Sequence, residues 1–189
     1  MIHSPRFTVV LDACVLYPAP IRDILLSLAA EGLFKAKWSE IIQNEWLRNL
    51  LKNRTDLKKE QLNKTVEAMN LAFPDANVEN FDDLIQSIKL PDLDDRHVVA
   101  CAIRCNADLI VTFNTKDFTT NELSKYDIEV KKPDELISNL IDINPKLACK
   151  ALNKMVKRLK SPKKTKSEVL TTLENCGLKK SIVKLKNNC

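Results

Sequence analysis

The stretch "VVLDACVL", residues 9–16, runs apolar almost without a break around one carboxylate, Asp12. With "FT" leading into it, the run reads as a strand buried on both faces that ends near Asp12. A charge in such a place costs on the order of several kcal/mol unless it is paired or metal-bound. Asp12 therefore has three readings: a helix cap, a member of a buried ion pair, or a ligand of a catalytic metal.

Outward from this stretch the elements alternate. "APIRDILLSLAAEGL" has helical periodicity with Gly32 as its C-cap, and "FKAKWS" reads as a short strand or extended link. "SEIIQNEWLRNLLKN" is a helix with Ser39 as N-cap, and "TDLKKEQLNKTVEAMNLAF" a further helix stopped before Pro74. "FDDLIQSI" is a short helix or turn, and "DLDDRHVVACAIRCN" opens with helix-starting aspartates. "ADLIVTFN" is a second buried strand, and "IEVKKPDELISNL" a strand followed by a Pro-started helix. Strands alternating with helices predict an α/β fold, a three-layer sandwich on a mainly parallel central sheet, over residues 1–143. Residues 144–189 predict a small helical C-terminal extension of three helices, interrupted by the linker "SPKKTK" at 161–166.

At 189 residues, with 44% apolar and 29% charged, the chain is a globular protein rather than a disordered one. No apolar run approaches the roughly 20 residues that span a bilayer, and "MIHSPRF" carries no signal-type apolar region. The expectation is a cytoplasmic protein with no membrane partner, whose six cysteines are free thiols. His97, Cys101 and Cys105 share a helix face, as zinc ligands do. No fourth ligand and no CxxC accompanies them, so packed thiols are the preferred reading. The net charge of +5 is uneven: residues 144–189 hold 13 Lys+Arg against 2 Asp+Glu, a net of +11, leaving −6 on residues 1–143. An acidic body carries a basic tail.

In open α/β sheets, ligands bind beyond the carboxyl ends of the strands. The first strand finishes at Asp12, and "LIVTFNTKDF" finishes at Thr112, Asn114 and Asp117. At about 100° per residue, Glu45 and Asn49 fall inside the arc bounded by Ile41 and Leu50, and Asp95 falls between Ala102 and Val99. Each acid has a plain alternative. Asp92, Asp94 and Asp95 suit helix starts, Glu45 a snorkelling edge, and Asp117 a turn. Together, Asp12, Glu45, Asp95 and Asp117 place four mutually repelling carboxylates where strand ends and inward helix faces converge, which calls for cations. Oxygen-only ligands point to Mg²⁺ or Mn²⁺.

The ordered set "VVLDACVL", "SEIIQNEW", "DLDDRHVVACAI" and "IVTFNTKDF" resembles the four acidic motifs of PIN domains, and within them the VapC-type toxin ribonucleases of toxin–antitoxin pairs. The resemblance spans roughly residues 7–141. "DACVLYPAPIRDILL" is similar to a subgroup that also carries a basic C-terminal extension. It implies a divalent-metal-dependent endoribonuclease, with Asp12, Glu45 and Asp95 as metal-site acids. At the fourth position the plainest pattern has an acid where this chain has Asn114; Asp117 is then the compensating acid. Thr112 and Asn114 would hold the phosphate or support the ligands. Where relatives often have "TN" after the first aspartate this chain has "AC", so any contact from that Asn is lost at Cys14. RNA, a cognate antitoxin and homodimerisation are the partners implied.

The tail suits a polyanion, with Lys154, Lys157, Arg158, Lys163 and Lys164 as candidate RNA contacts. Its apolar residues Leu147, Ala151, Leu152, Met155, Val156 and Leu159 form one packing face. "VLTTLENCGLKKSIVKL" has the outline of a helix-turn-helix; a solvated extension or an antitoxin-docking surface competes with that reading. Among other enzymes, a haloacid-dehalogenase-like phosphatase needs a second Asp at position 14, which is Cys, and a receiver domain needs paired acids that are absent. The rival of another class is a non-catalytic RNA- or protein-binding module with a degenerate PIN core.

Overall fold

Val9, Val10 and Leu11 are fully enclosed, as an unbroken apolar run in a parallel sheet must be. The computed structural model describes residues 7–189; residues 1–6, within the segment read as lacking an apolar leader, lie outside the described residues. In chain order the elements begin with β1 (Thr8–Leu11), α1 (Ala13–Leu16), α2 (Ala19–Ala30), β2 (Lys35–Lys37), α3 (Glu40–Asn53), α4 (Lys59–Ala72) and α5 (Asp82–Ile85). They continue with α6 (Arg96–Arg104), β3 (Leu109–Val111), α7 (Thr120–Leu123), β4 (Glu129–Lys131), α8 (Pro133–Ile143), α9 (Pro145–Arg158), α10 (Lys166–Asn175) and α11 (Lys179–Asn188). Two compact units result: Phe7–Tyr17 with Lys35–Lys131, and Pro18–Phe34 with Lys132–Cys189.

The first unit contains the sheet, ordered β2-β1-β3-β4, with every pairing parallel. Val9 lies between Ala36 and Leu109, and Ile110 between Val10 and Val130. α6 packs on β1 and β3 with Val98, Val99, Ala100, Cys101 and Ala102 buried. The register carries past the strand ends. The Asp12 N–H donates to the Val111 carbonyl at 3.1 Å, and the Thr112 N–H to the Lys131 carbonyl at 3.1 Å. Asp12 and Thr112 are thereby set side by side at the carboxyl edge.

β1 ends one residue before Asp12, as read from the sequence, and the second half of the opening stretch is helical. Asp12 is still extended (φ −68°, ψ 155°), but the N–H groups of Val15 and Leu16 both bond to its carbonyl and start the one-turn helix α1. In α3 the Ser39 hydroxyl accepts from the Ile42 N–H at 3.2 Å, the cap read from the sequence. Ile42, Gln43, Trp46 and Leu50 are the buried positions of α3, whereas Asn49, placed within the apolar arc by periodicity, is exposed. The buried face is rotated toward Gln43, which accepts a hydrogen bond from Trp46 Nε1 at 2.7 Å.

The second unit is all helical. α2 packs against α9, burying Ile21, Ile24, Leu25 and Leu28 on one and Ala148, Ala151, Leu152 and Met155 on the other. The expected Gly32 terminus is present, with φ +79°. Ion pairs fasten the same two helices: Lys150 and Lys154 reach Glu31 at 2.8 and 2.6 Å, and Arg158 reaches Asp23 at 2.7 Å. Helices α10 and α11, joined through Gly177 at φ +98°, reproduce the helix–turn–helix outline. Cys149 and Cys189 form a disulfide, so the expectation of six free thiols holds for Cys14, Cys101, Cys105 and Cys176 alone. Sequence spacing misses this pair because 40 residues separate the two and only the helix packing brings their Cα atoms to 5.5 Å. Among the described residues no helix is long and apolar enough to cross a membrane.

Helix α11 has no capping side chain of its own. Asp134, in the first turn of α8, takes that place: its carboxylate accepts from the N–H groups of Lys180 and Ser181 at 2.9 and 2.8 Å and from the Ser181 hydroxyl at 2.7 Å. A carboxylate at a helix N-terminus satisfies orphan donors and complements the dipole. Asp134→Ala is expected to cost about 2 kcal/mol and lower Tm by about 4–8 °C. A thermal shift below about 1 °C would show that the cap does not hold α11.

Candidate metal and nucleic-acid site

Beyond the carboxyl ends of β1 and β3 lies an open cavity of about 360 Å³ lined by Asp12, Cys14, Glu45, Asp95 and Asn114, with Tyr17, Arg48, Asn49 and Asn53 on its walls. β1 delivers Asp12, α3 delivers Glu45, and the residue preceding α6 delivers Asp95. All belong to the first unit.

Asp12 is 4% exposed. Its Oδ2 accepts from the Thr112 hydroxyl at 2.7 Å and the Cys14 thiol at 3.0 Å, and makes no cap bond to α1. The cap and ion-pair readings both fail here: two neutral donors hold the carboxylate, with no ammonium or guanidinium among its hydrogen-bond partners in the described residues. Burial and the adjacent Asp12 charge push the Cys14 thiol up to about 12, so it stays protonated. The main-chain N–H of Phe113 in turn donates to Cys14 Sγ at 3.2 Å. The expectation that Cys14 leaves a lost polar contact is thus corrected, because the protonated thiol supplies one. Asn114 lines the cavity and its N–H donates to Thr112 Oγ1 at 3.0 Å, which orients that hydroxyl toward Asp12.

Asp95 occupies the N-cap position of α6, yet its side chain makes no cap bond. Burial, then the charges of Asp12, Asp92 and Asp117, raise it to about 7; only His97 opposes them. Asp117, in a 3₁₀ turn at Thr115–Asp117, therefore acts on the group through space without lining the cavity. Asp92 accepts from the Asp94 N–H at 2.9 Å, a local turn bond just ahead of α6.

Glu45 is tied on one side. His97 Nε2 lies 3.1 Å from Glu45 Oε1, and His97 is 7% exposed with Nδ1 lacking a hydrogen-bond partner. Sequence periodicity grouped His97 with Cys101 and Cys105; in the fold it turns to Glu45, while the Cys105 thiol donates to the Ala102 carbonyl at 3.6 Å. Arg48 and Tyr17 also went unread. Helical spacing signals that Arg48 lies one turn from Glu45, but nothing in the sequence says that this turn borders the cavity.

The carboxylates on this cavity offer oxygen donors, the chemistry that suits a hard divalent cation, and Arg48 is the cationic side chain on its wall among the described residues. Among the described residues no three His, Cys, Asp or Glu side chains stand together tightly enough to hold an ion as they lie. Asp12, Glu45 and Asp95 are the carboxylates that line this cavity and could hold such an ion.

In the second unit, candidate tail contacts Lys154 and Arg158 are engaged with Glu31 and Asp23, whereas Lys157 and Lys163 are exposed and Lys164 half-buried.

A family model described as "PIN domain" matches residues 8–116, and one described as "VapC50 C-terminal domain" matches residues 133–187. The chain is also similar to "Putative ribonuclease VapC50" of Mycobacterium tuberculosis, 41% identical over 49 residues. That match covers 26% of this chain and 29% of the relative's length, so the two share less than a third of that protein.

An acid whose folded-state pKa is raised stabilises the fold below its unfolded value, and this contribution is lost as pH rises toward 7. Asp95→Asn removes that loss. In EDTA, urea midpoints are expected to show Asp95→Asn more stable than wild type at pH 7.5 and nearly equal to it at pH 4. A difference that does not change with pH would overturn the raised Asp95.

Proposed function

The chain belongs to the PIN-domain family, and on that premise we propose that it is a divalent-metal-dependent endoribonuclease, the toxin of a type II toxin–antitoxin pair. One observation carries the reading: Asp12 and Asp95 open on one cavity at the carboxyl edge of a parallel sheet, and their charges oppose each other. A carboxylate pair that merely stabilised the fold would be paired with cations. Here Asp12 is held by a hydroxyl and a thiol rather than by a cation.

In this proposal Asp12 and Asp95 would hold Mg²⁺ or Mn²⁺, with Glu45 completing the shell or orienting the attacking water, and Asp117, off the cavity wall, adding only its charge. A divalent ion bound there supplies a water of lowered pKa and neutralises charge on the phosphodiester under attack. The chain's own part is positioning. Thr112, aimed by the Asn114 N–H, fixes the Asp12 carboxylate with its remaining oxygen free. His97 ties one oxygen of Glu45 and leaves the other for the cavity. Arg48 and Asn49, on the cavity wall, suit a phosphate and a ribose, and Asn114 the neighbouring phosphate oxygen. Lys157, Lys163 and Lys164 lie outside the α2–α9 ion pairs and suit more distant phosphates. A cognate antitoxin protein and a second copy of the chain complete the proposed partners.

Wild-type protein with Mg²⁺ or Mn²⁺ is expected to cut RNA, EDTA to stop it and metal to restore it. Asp12→Ala is expected to abolish cleavage, followed by denaturing gel electrophoresis. Undiminished cleavage by Asp12→Ala and Asp95→Ala would overturn this cavity as the catalytic site, and RNA binding by the wild-type chain with no metal-dependent cleavage would leave a non-catalytic binding module. For the tail, Lys157→Ala/Lys163→Ala/Lys164→Ala is expected to flatten the slope of log K against log salt by about 2. An unchanged slope would remove these lysines from the RNA surface.

A further inference from the structure

Helix α3 carries a polar stripe that leads away from the carboxylates. Glu45, Arg48, Asn49 and Asn53 recur at three- and four-residue spacing on one face, and all four line the cavity that holds Asp12 and Asp95. From Glu45 to Asn53 the helix advances roughly 12 Å, so the wall continues well past the acids. Beyond Glu45 the stripe changes in kind: its charge is the Arg48 guanidinium, and the rest is amide.

Arg48 is exposed and has no hydrogen-bond or ion-pair partner among the described residues. Arg54, just past the helix, differs: its Nε and Nη2 both reach the Asp56 carboxylate, at 2.8 and 2.7 Å. A guanidinium on a cavity wall with no acid of its own suits a phosphate.

Tyr17 stands at the far end of the stripe. It is the one aromatic side chain on this cavity wall and is half-buried, whereas Trp38 and Trp46 are fully enclosed. Its hydroxyl accepts from Asn53 Nδ2 at 3.3 Å, which ties the phenol to the last turn of α3. That bond is long and at the surface, so it contributes little and does not account for an aromatic kept open on a charged cavity. An aromatic face beside an unpaired guanidinium is how proteins take single-stranded nucleic acid: the cation meets a phosphate and a base stacks on the ring. A basic protein segment would be drawn to Asp12, Glu45 and Asp95, but Arg48 opposes it on the way in. An apolar peptide would bury Arg48 unpaired.

We propose that Tyr17 and Arg48 form a nucleotide subsite beside the metal-site acids, with Arg48 on a phosphate and the Tyr17 ring stacked on the base of an unpaired nucleotide next to the one attacked. The subsite reads the presence of a base and not its identity, since every base has a π-face. The proposal rests on the ribonuclease reading above.

Two fluorescein-labelled hexaribonucleotides of equal charge test it, one of adenosines and one with every base removed, their binding followed by anisotropy on the full-length Asp12→Ala chain in Mg²⁺. The base-bearing strand is expected to bind about tenfold more tightly. Added to Asp12→Ala, Tyr17→Leu is expected to erase that ratio while leaving affinity for the abasic strand unchanged, and Tyr17→Phe to keep it. Arg48→Ala is expected to weaken both strands, keep the ratio, and flatten the slope of log K against log salt by about 0.7. Equal affinity for the two strands, or a ratio intact in Tyr17→Leu, overturns the proposal. So does an equal loss in Tyr17→Phe, which would place the effect in the Asn53 bond, or a loss in Tyr17→Leu that strikes both strands alike, which would make the ring a support of the fold. An unchanged salt slope in Arg48→Ala overturns the phosphate contact. The two readings fail separately. The tenfold ratio without cleavage by the wild-type chain removes the ribonuclease and keeps the subsite; metal-dependent cleavage without the ratio does the reverse.

Discussion

The carboxylate of Asp12 is the constraint around which the sheet edge is arranged. It is 4% exposed just beyond a strand whose Val9, Val10 and Leu11 are fully enclosed, and a charge there survives only with donors pointed at it. Thr112 and Cys14 are those donors, and both are uncharged. The site therefore keeps its negative charge. Burial and that charge raise the Cys14 thiol, and burial with the charges of Asp12, Asp92 and Asp117 raises Asp95. A lysine in place of either donor would neutralise the edge and leave nothing for a cation to do.

Parallel register is what makes this arrangement reproducible. In a parallel pair the strand ends lie together, so the residue after β1 and the residue after β3 become neighbours although 100 residues separate them. Two N–H groups beyond the strands, those of Asp12 and Thr112, continue the ladder by one step and hold the pair in place. Helix α3 adds a second degree of organisation. It is buried along Ile42, Trp46 and Leu50, and flanks that seam with the Glu45 side on one cavity and the Gln43 side on another. Within α3 the Trp46 indole donates to Gln43, and the Trp38 indole, just ahead of the helix, donates to Asn70 of α4.

Charge in the second unit is used differently. A net of +11 over residues 144–189 invites a polyanion reading. Yet Lys150, Lys154 and Arg158 are spent on α2, and Lys184 and Lys186 reach Asp142 and Glu174. These half-exposed pairs contribute modestly to stability, but they fix the direction of α9 on α2 and subtract from the charge that remains for a ligand.

The sequence by itself determined the alternation of strands and helices, the Ser39 cap, the Gly32 terminus, and Asp12, Glu45 and Asp95 as inward acids. These are local matters, set by periodicity and by which residues end a helix or tolerate burial. Only the tertiary structure decided that Cys14 and Thr112 share the Asp12 carboxylate, that His97 answers Glu45 across 52 residues, that Asp134 caps α11, and that Cys149 meets Cys189. It also turned α3 so that Gln43 is buried and Asn49 is not, a rotation of the apolar arc too small for periodicity to resolve. A hydrogen bond between residues far apart in the chain depends on which strand ends and helix faces are brought within about 3 Å, and one-dimensional spacing holds no record of that distance.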